Sequence, residues 1–186
     1  MGILFVLALV PILVVAWAIG LYNGLVRLRM QVGNAWKQID VQLKRRHDLI
    51  PNLVNTVKGM MKFEQETLTK VMEARAKAVS ATTVAEKGAA ESELGRSLGR
   101  LLAVFENYPD LKSNQNVLKL QEELTTTENQ IGFSRQHYND LVMRFNTQQQ
   151  VFPSNMVAGM FGFAPAEFLQ IEEGERAVPK VDLSLS

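Results

Sequence analysis

No cysteine occurs anywhere in the 186 residues of this chain. That removes disulfides, zinc–thiolate sites and thiol nucleophiles together, while leaving the compartment open. Histidine is nearly as scarce, with His47 and His137 the two present. Carboxylate-bridged metal centres in helical bundles draw on Glu-x-x-His pairs. Lys44 stands three residues before His47 and Ser134 three before His137, so neither histidine fits, and both read as surface or capping residues. A Gly-x-x-x-x-Gly-Lys-Ser/Thr phosphate loop is missing as well, and no nucleophile elbow is expected. The reading is therefore of a protein that is not an enzyme, with no catalytic residue, cofactor or metal site. Acidic side chains such as Glu64, Glu66, Glu122, Glu123 and Glu128 read as solvated faces of amphipathic helices.

A strong net charge is also lacking, because 20 basic and 19 acidic residues nearly cancel. Nothing in that balance marks a nucleic-acid partner. The distribution is uneven, however. Between residues 27 and 46 the bases are Arg27, Arg29, Lys37, Lys44, Arg45 and Arg46 against the single acid Asp40. Between residues 167 and 182, Glu167, Glu172, Glu173, Glu175 and Asp182 outweigh Arg176 and Lys180. The length suits one domain with a real core.

What is present begins with a long uncharged start. Residues 1–26 carry no charged side chain, and residues 3–21 are Ile, Leu, Val, Ala and Phe interrupted only by Pro11, Trp17 and Gly20. As a helix this stretch measures about 30 Å, one hydrocarbon thickness. Trp17 and Tyr22 suit an interfacial aromatic belt, and Arg27 and Arg29 follow at headgroup height. A cleaved signal peptide is the rival reading, because Ala16-Trp17-Ala18 resembles a cleavage site. Against it, the leading residues have no Lys or Arg and the apolar run is long. A buried core helix is the other alternative, and a domain this small has little with which to surround such a run. The expectation is a transmembrane anchor at residues 1–22. Six bases follow the span and no basic side chain precedes it, which places the bulk of the chain in the cytoplasm by charge bias.

Beyond the anchor the periodicity is helical. Leu21, Leu25, Leu28, Val32, Ala35 and Ile39 alternate by four and three, and no proline intervenes between Tyr22 and Pro51, so the anchor continues as a helix. Pro51 lacks an N–H and restricts Ile50, which predicts the break between a first and a second helix, with Asp48 as a cap. The second helix is expected to reach Ser80 with Leu53, Val57, Met60, Leu68, Val71 and Ala78 inward, followed by a turn with a capping threonine in Ser80-Ala81-Thr82-Thr83. A third spans residues 84–106. There Gly88, Gly95, Gly99 and Ala103 form a smooth stripe, read as tight packing against a neighbouring helix and not as a membrane dimer motif, since Glu91, Glu93, Arg96 and Arg100 flank it. Asn107-Tyr108-Pro109-Asp110 signals a turn. In the fourth helix Val117, Leu120, Leu124, Thr127, Ile131, Ser134, Tyr138, Leu141, Phe145, Gln148 and Phe152 alternate three and four without a slip, the seam of a bundle or coiled coil.

The fold class that follows is all-α: an N-terminal transmembrane helix continuing into an antiparallel up-and-down four-helix bundle. The bundle occupies residues 23–152, an apolar C-terminal segment 153–171, and a flexible acidic tail 172–186. By the up-and-down count, the fourth helix returns Phe152 and Pro153 toward the bilayer.

Several stretches resemble the LemA family over residues 22–168. They are Tyr22-Asn23-Gly24-Leu25-Val26, the block from Ala35-Trp36-Lys37-Gln38-Ile39-Asp40 through Arg46-His47-Asp48-Leu49-Ile50-Pro51-Asn52-Leu53-Val54, Thr127-Glu128-Asn129, Tyr138-Asn139 and Phe152-Pro153-Ser154-Asn155. The resemblance implies a bacterial protein of the cell (inner) membrane with one N-terminal span, a four-helix bundle and no established enzymatic activity. After the Pro-Asn-Leu-Val block the family tends to carry Lys-Gly, an aromatic and a His-Glu pair. Here Met60-Met61-Lys62-Phe63-Glu64 stands instead, so no role for such a histidine carries over.

Two constellations remain as candidate sites. Asp40, Arg45, Arg46 and Asp48, with Glu122 and Glu128 as candidate partners, form either a polar network that sets helix register or a docking patch for an acidic partner. Arg46 falls on the first helix's seam, where a charge must find a partner or reach water. The second is the apolar segment holding Met156, Met160, Phe161, Phe163 and Phe168. It is too short to span, and is read as capping the core, lying on the membrane surface or joining subunits. The leading functional expectation is a non-catalytic scaffold or adaptor that self-assembles on the membrane, with lipid bilayer, copies of itself and other membrane proteins as partners. The alternatives are an accessory of a membrane protease or quality-control system, which rests on the resemblance, and an undetected hydrolase. A single cysteine introduced at Ser186 tests the orientation: an impermeant thiol reagent is expected to leave it unlabelled in intact cells, and ready labelling reverses the assignment.

Overall fold

A computed structural model describes residues 2–61 and 63–170, with side chains from Leu9 onward. These residues form the helices α1 (Gly2–Val57), α2 (Gln65–Ser80), α3 (Val84–Phe105), α4 (Pro109–Ser113), α5 (Gln115–Gln150) and α6 (Ser154–Met160). The described residues contain no strand, so the chain is all-α, and its long N-terminal apolar helix goes on to pack in a bundle. The acidic tail expected at residues 172–186, and Ile171 before it, lie outside the described residues.

Within α1, a stretch near the N-terminus is long and apolar enough to cross a membrane, and almost none of it is buried. Leu9, Ile12, Leu13, Val15, Trp17 and Ile19 all face outward. The core helix of a soluble protein would hide such side chains, so the buried-helix alternative falls. An exposed apolar helix of this length suggests a membrane anchor.

The chain divides into two compact units, Met1–Arg45 with Thr126–Phe168, and Arg46–Thr125 with Leu169–Ser186. In the first, the expected stripe on α1 turns inward: Leu25, Val32, Ala35 and Ile39 are buried, joined by Leu43. On α5 the buried set is Thr127, Ile131, Tyr138, Leu141, Val142 and Phe145. Trp36 of α1 meets Tyr138 of α5 with ring centroids 5.2 Å apart. The three-four alternation read from α5 is the packing seam up to Gln148. Phe152 departs from it and is exposed, because α5 ends at Gln150.

In the second unit, Ile50, Leu53, Val54 and Val57 from the end of α1 form one core with Leu68, Val71, Ala74 and Ala78 of α2, with Leu94, Leu98, Leu101 and Phe105 of α3, and with Leu111, Val117 and Leu124. The turn before α3 is capped as expected. Thr83 Oγ1 accepts from the Glu86 N–H, and the Glu86 carboxylate accepts from the Thr83 N–H in return, a capping box.

Three expectations are overturned here. The helix does not break at Pro51 but runs on to Val57. A helical proline deprives the carbonyl four residues back of its donor, which here is the carbonyl of His47. Arg75 of α2 supplies the replacement, its Nε–H donating to the His47 carbonyl at 2.6 Å. The next helix, α2, begins at Gln65. Asp48 therefore lies inside α1 and caps nothing. The later turn also changes the phase: Met60 is 40% exposed and its neighbour Met61 is fully buried, the reverse of the expected pattern.

The third correction concerns the glycine stripe. A Cβ added at Gly88 would sit 3.2 Å from Leu169 Cδ1 and 3.4 Å from the Gln170 carbonyl oxygen, so the chain does approach closely there. One added at Gly95 or Gly99 would meet nothing within 4 Å. The packing face of α3 runs instead through Glu91, Leu94, Leu98, Leu101 and Phe105, and Ala103 is exposed.

The repair of Pro51 yields a double-mutant cycle. Arg75→Met is expected to lower unfolding stability by about 2 kcal/mol, the scale of a charge-assisted hydrogen bond. In a Pro51→Ala background, where the restored backbone N–H at that position again serves the His47 carbonyl, the cost should fall by more than half. Equal costs in the two backgrounds, measured by denaturant unfolding, would show that Arg75 does not act through that carbonyl.

Candidate functional site

The second unit contains a buried charge cluster. Arg46 is 1% exposed and donates from Nη2 to Glu91 Oε2 of α3, itself 3% exposed. The other carboxylate oxygen, Oε1, accepts from His47 Nε2 at 2.8 Å. One carboxylate thus receives two neighbouring side chains of α1, and the backbone of that same turn is held by Arg75. Burial by itself disfavours the Glu91 charge. The His47 hydrogen bond, the Arg46 charge and the Arg46 hydrogen bond together outweigh it and hold the carboxyl below its ordinary range. An acid kept ionised by an adjacent arginine is a poor proton donor. With both oxygens occupied, the carboxylate ties α1 to α3.

Of the six residues in the expected network, Arg46 is the one buried at the centre of this cluster. Asp40 is half-buried, whereas Arg45, Asp48, Glu122 and Glu128 are exposed. His47, expected on the surface or at a cap, is instead 13% exposed and bonded to Glu91. Glu91 was missed, although the signal was available. Glu91, Leu94, Leu98, Leu101 and Phe105 alternate three and four, so a glutamate sits in phase with the apolar face of α3, and an inward arginine sits in phase with α1. Arg135 of α5, which sequence reasoning also left out, is buried in the first unit.

The letters of a nucleophile elbow do occur, contrary to expectation, in Gly95-Arg96-Ser97-Leu98-Gly99. They lie in the middle of α3, where no strand-to-helix turn presents the serine. A recess of about 640 Å³ opens near the α2–α3 turn, lined by Lys77, Thr82, Glu86, Glu93 and Arg96 among others. Its polar groups are already engaged: Lys77 pairs with Glu93 at 3.0 Å, and Glu86 completes the capping box. Among the described residues no group of His, Asp and Glu is placed to hold a metal ion.

The apolar segment lies in the first unit, and the structure divides its residues between two roles. Phe163 is half-buried. It packs edge-on against Phe145 at 6.3 Å and against Tyr22 at 5.8 Å, with the Arg29 guanidinium 5.4 Å from its ring centre. The extended stretch that follows is stitched to α5. The Asn146 side chain donates to the Ala166 carbonyl and accepts from the Ala166 N–H, both at 2.9 Å, and the Tyr138 hydroxyl donates to the Glu167 carbonyl at 2.8 Å. Burial, with the Glu167 charge nearby, pushes the Tyr138 phenol up from its ordinary value. Val157 and Ala158 of α6 are also buried. Met156, Met160, Phe161 and Phe168 point the other way, at 63, 83, 60 and 47% exposure. The segment caps the unit with one side and offers apolar tips on the other.

Removal of the Glu91 charge tests the lock. Glu91→Gln takes a charge partner from a buried arginine and is expected to lower stability by about 3 kcal/mol, whereas the pair of changes Arg46→Leu and Glu91→Leu should recover most of that loss. The folded-state pKa of Glu91 lies below that of an unfolded glutamate. The pair's contribution is therefore complete above about pH 4.3 and is lost as pH falls through the lower folded value. Unfolding curves between about pH 3 and 7 should show the gap between native and Glu91→Gln proteins closing at the acid end; a gap constant with pH would refute the assignment.

Comparison with known proteins agrees with this architecture. The chain is 30% identical over 160 residues to Protein LemA of Metamycoplasma hominis, covering 85% of this chain and 73% of that protein. It is 25% identical over 175 residues to Magnetosome protein MamQ 2 of Paramagnetospirillum magneticum, covering 80% and 64%. With Magnetosome protein MamQ of Magnetospirillum gryphiswaldense it shares 22% over 173 residues, covering 79% and 64%. The chain thus spans a little under two thirds of the magnetosome relatives' own length. The model of the LemA family matches residues 35–183, most of the chain and including the Arg46–His47 turn and its partner Glu91, and the chain belongs to the LemA family.

Proposed function

We propose that this protein is a non-catalytic helical scaffold or adaptor that is anchored in the bacterial cell membrane and self-assembles there, with its helical body on the cytoplasmic side. The observation that carries the reading is α1 itself. A helix that begins as an exposed apolar stretch of spanning length continues without a break to Val57. An enzyme tethered to a membrane has no need of such continuity, whereas a scaffold that presents helical faces at a set distance from the bilayer does.

The use of the ionisable groups supports the same reading. Arg46, His47, Arg75 and Glu91 are engaged in holding helices together, and the lysines and glutamates of α2 and α3 form surface pairs such as Lys70 with Glu66. Relatives named magnetosome proteins are in keeping with work at a membrane structure. The orientation rests on the bases that follow the span, from Arg27 to Arg46, by the rule that cytoplasmic flanks are the basic ones. Exposed methionines such as Met30 and Met143 add adaptable contact surface for neighbouring copies or other membrane proteins.

The decisive measurement is particle mass after reconstitution of the full chain into lipid nanodiscs or mild detergent. A discrete oligomer that persists on dilution through the micromolar range is the expected result. A strict monomer at every concentration would remove the self-assembly half of the proposal.

A further inference from the structure

The exposed tips of the C-terminal segment sit beside one particular level of α1. Phe161 lies with its ring centroid 4.7 Å from that of Tyr22, and Tyr22 is where the apolar run of residues 3–21 ends. The level at which α1 would emerge from hydrocarbon is therefore also the level of Phe161. Around it the exposed apolar side chains are Phe152 at 79%, Met156 at 63% and Met160 at 83%. Met156 and Met160 are four apart on α6 and share a face.

Charge is absent where a water-facing end of a helical unit would carry it. Between Arg144 just before them and Glu167 just after, residues 145–166 contain no Asp, Glu, Lys or Arg, so the end of α5, all of α6 and the following turn form one uncharged cap. Charges reappear next to it in the arrangement that suits a headgroup layer. Arg27 and Arg29 are exposed one and two turns beyond Tyr22, and Arg29 reaches back over Phe163. Aromatic rings at the boundary with cations just beyond them are the pattern of an interfacial element.

We infer that α6 and the turn after it form a second membrane contact, a short wedge lying in the plane of the bilayer that α1 crosses, with Phe152, Met156, Met160 and Phe161 seated among lipid acyl chains. This inference rests on α1 being a membrane anchor. The occupant is lipid and not a second copy of the chain, because the patch adjoins, through the Phe161–Tyr22 contact, the level at which the exposed apolar stretch of α1 ends. Its outermost members, Phe152 and Met160, are also among the most exposed apolar side chains of the described residues. The buried side of the segment, pinned by Asn146, Tyr138 and Phe163, holds those side chains at that depth. The contact fixes rotation about the α1 axis, which a single span cannot do.

The absence of cysteine makes the test direct. Single-cysteine variants Met160→Cys and Phe152→Cys of the full chain are nitroxide-labelled in phosphatidylcholine–phosphatidylglycerol vesicles, and collision with oxygen is compared with collision with a water-soluble nickel chelate. Ile19→Cys is the reference for the span. Val41→Cys is the reference for water, being exposed on α1 about 28 Å beyond Tyr22 at helical rise. The oxygen-to-nickel collision ratio at positions 160 and 152 is expected to be several-fold above that at 41 and to approach that at 19. Ratios at 160 and 152 like that at 41, with 19 in lipid, overturn the wedge and leave the anchor standing. If position 19 is itself aqueous, the anchor fails and the wedge with it. Dipolar broadening at 160 that disappears on dilution with unlabelled chain would mean that the patch meets a neighbouring copy, and would also overturn the wedge.

Discussion

The structure depends on keeping one helix intact through a proline. Without a donor for the His47 carbonyl, α1 would have reason to end near residue 50, and its last turns would be a separate helix. The guanidinium of Arg75 removes that reason. Its arrival from α2 also means that the repair is tertiary, so the end of α1 is kept helical by the same packing that its final residues help to form. The neighbouring turn carries the second half of the arrangement, with Arg46 and His47 converging on Glu91 of α3. Two helices thus hold one turn of α1, one by its backbone and one by its side chains. A buried ion pair adds little net stability compared with apolar residues of the same shape, but it tolerates no sliding. Leu53 and Val57 can mesh with a neighbour in more than one register, whereas a carboxylate that must meet an arginine and a histidine can do so in one.

That division explains which parts of the fold were legible in the sequence. Periodicity is a local property, so the inward stripes of α1 and α5 could be read almost residue by residue, and so could the capping box at Thr83, whose partners are three positions apart. Pro51 misled because its effect on a helix is local while its remedy, Arg75, lies in another helix; no window of sequence around the proline contains the guanidinium. The glycine stripe misled for a related reason. Small residues at helical spacing permit close approach but do not require it, and on α3 the helix turned its leucines inward and left Gly95 and Gly99 open. The site was less legible than the fold. Arg46 could be placed in the interior by its phase, whereas its partner Glu91 on α3 was not named. Glu91 had been assigned to the solvent because its neighbours Glu93 and Arg96 are there, and a test of phase, applied to the polar residues as it was to the apolar ones, would have separated them.

The treatment of charge differs between the two units, and the difference bears on what each is for. In the second, a carboxylate and a guanidinium are buried as a pair, which fixes packing. In the first, the end nearest the apolar stretch of α1 has been cleared of charge altogether over residues 145–166, and the contacts that hold it are ring stacking around Tyr22 and Phe163 and the neutral amide pairing of Asn146. Neutral pairing is what a headgroup boundary favours, because an ion pair brought toward hydrocarbon loses hydration that its partner does not fully return. An amide that both donates and accepts satisfies a backbone at no such cost. On the inferred membrane contact of α6, the choice of Asn146, where a charged residue would have served in water, follows from the same constraint as the apolar start of α1: both would meet a solvent that is only partly aqueous.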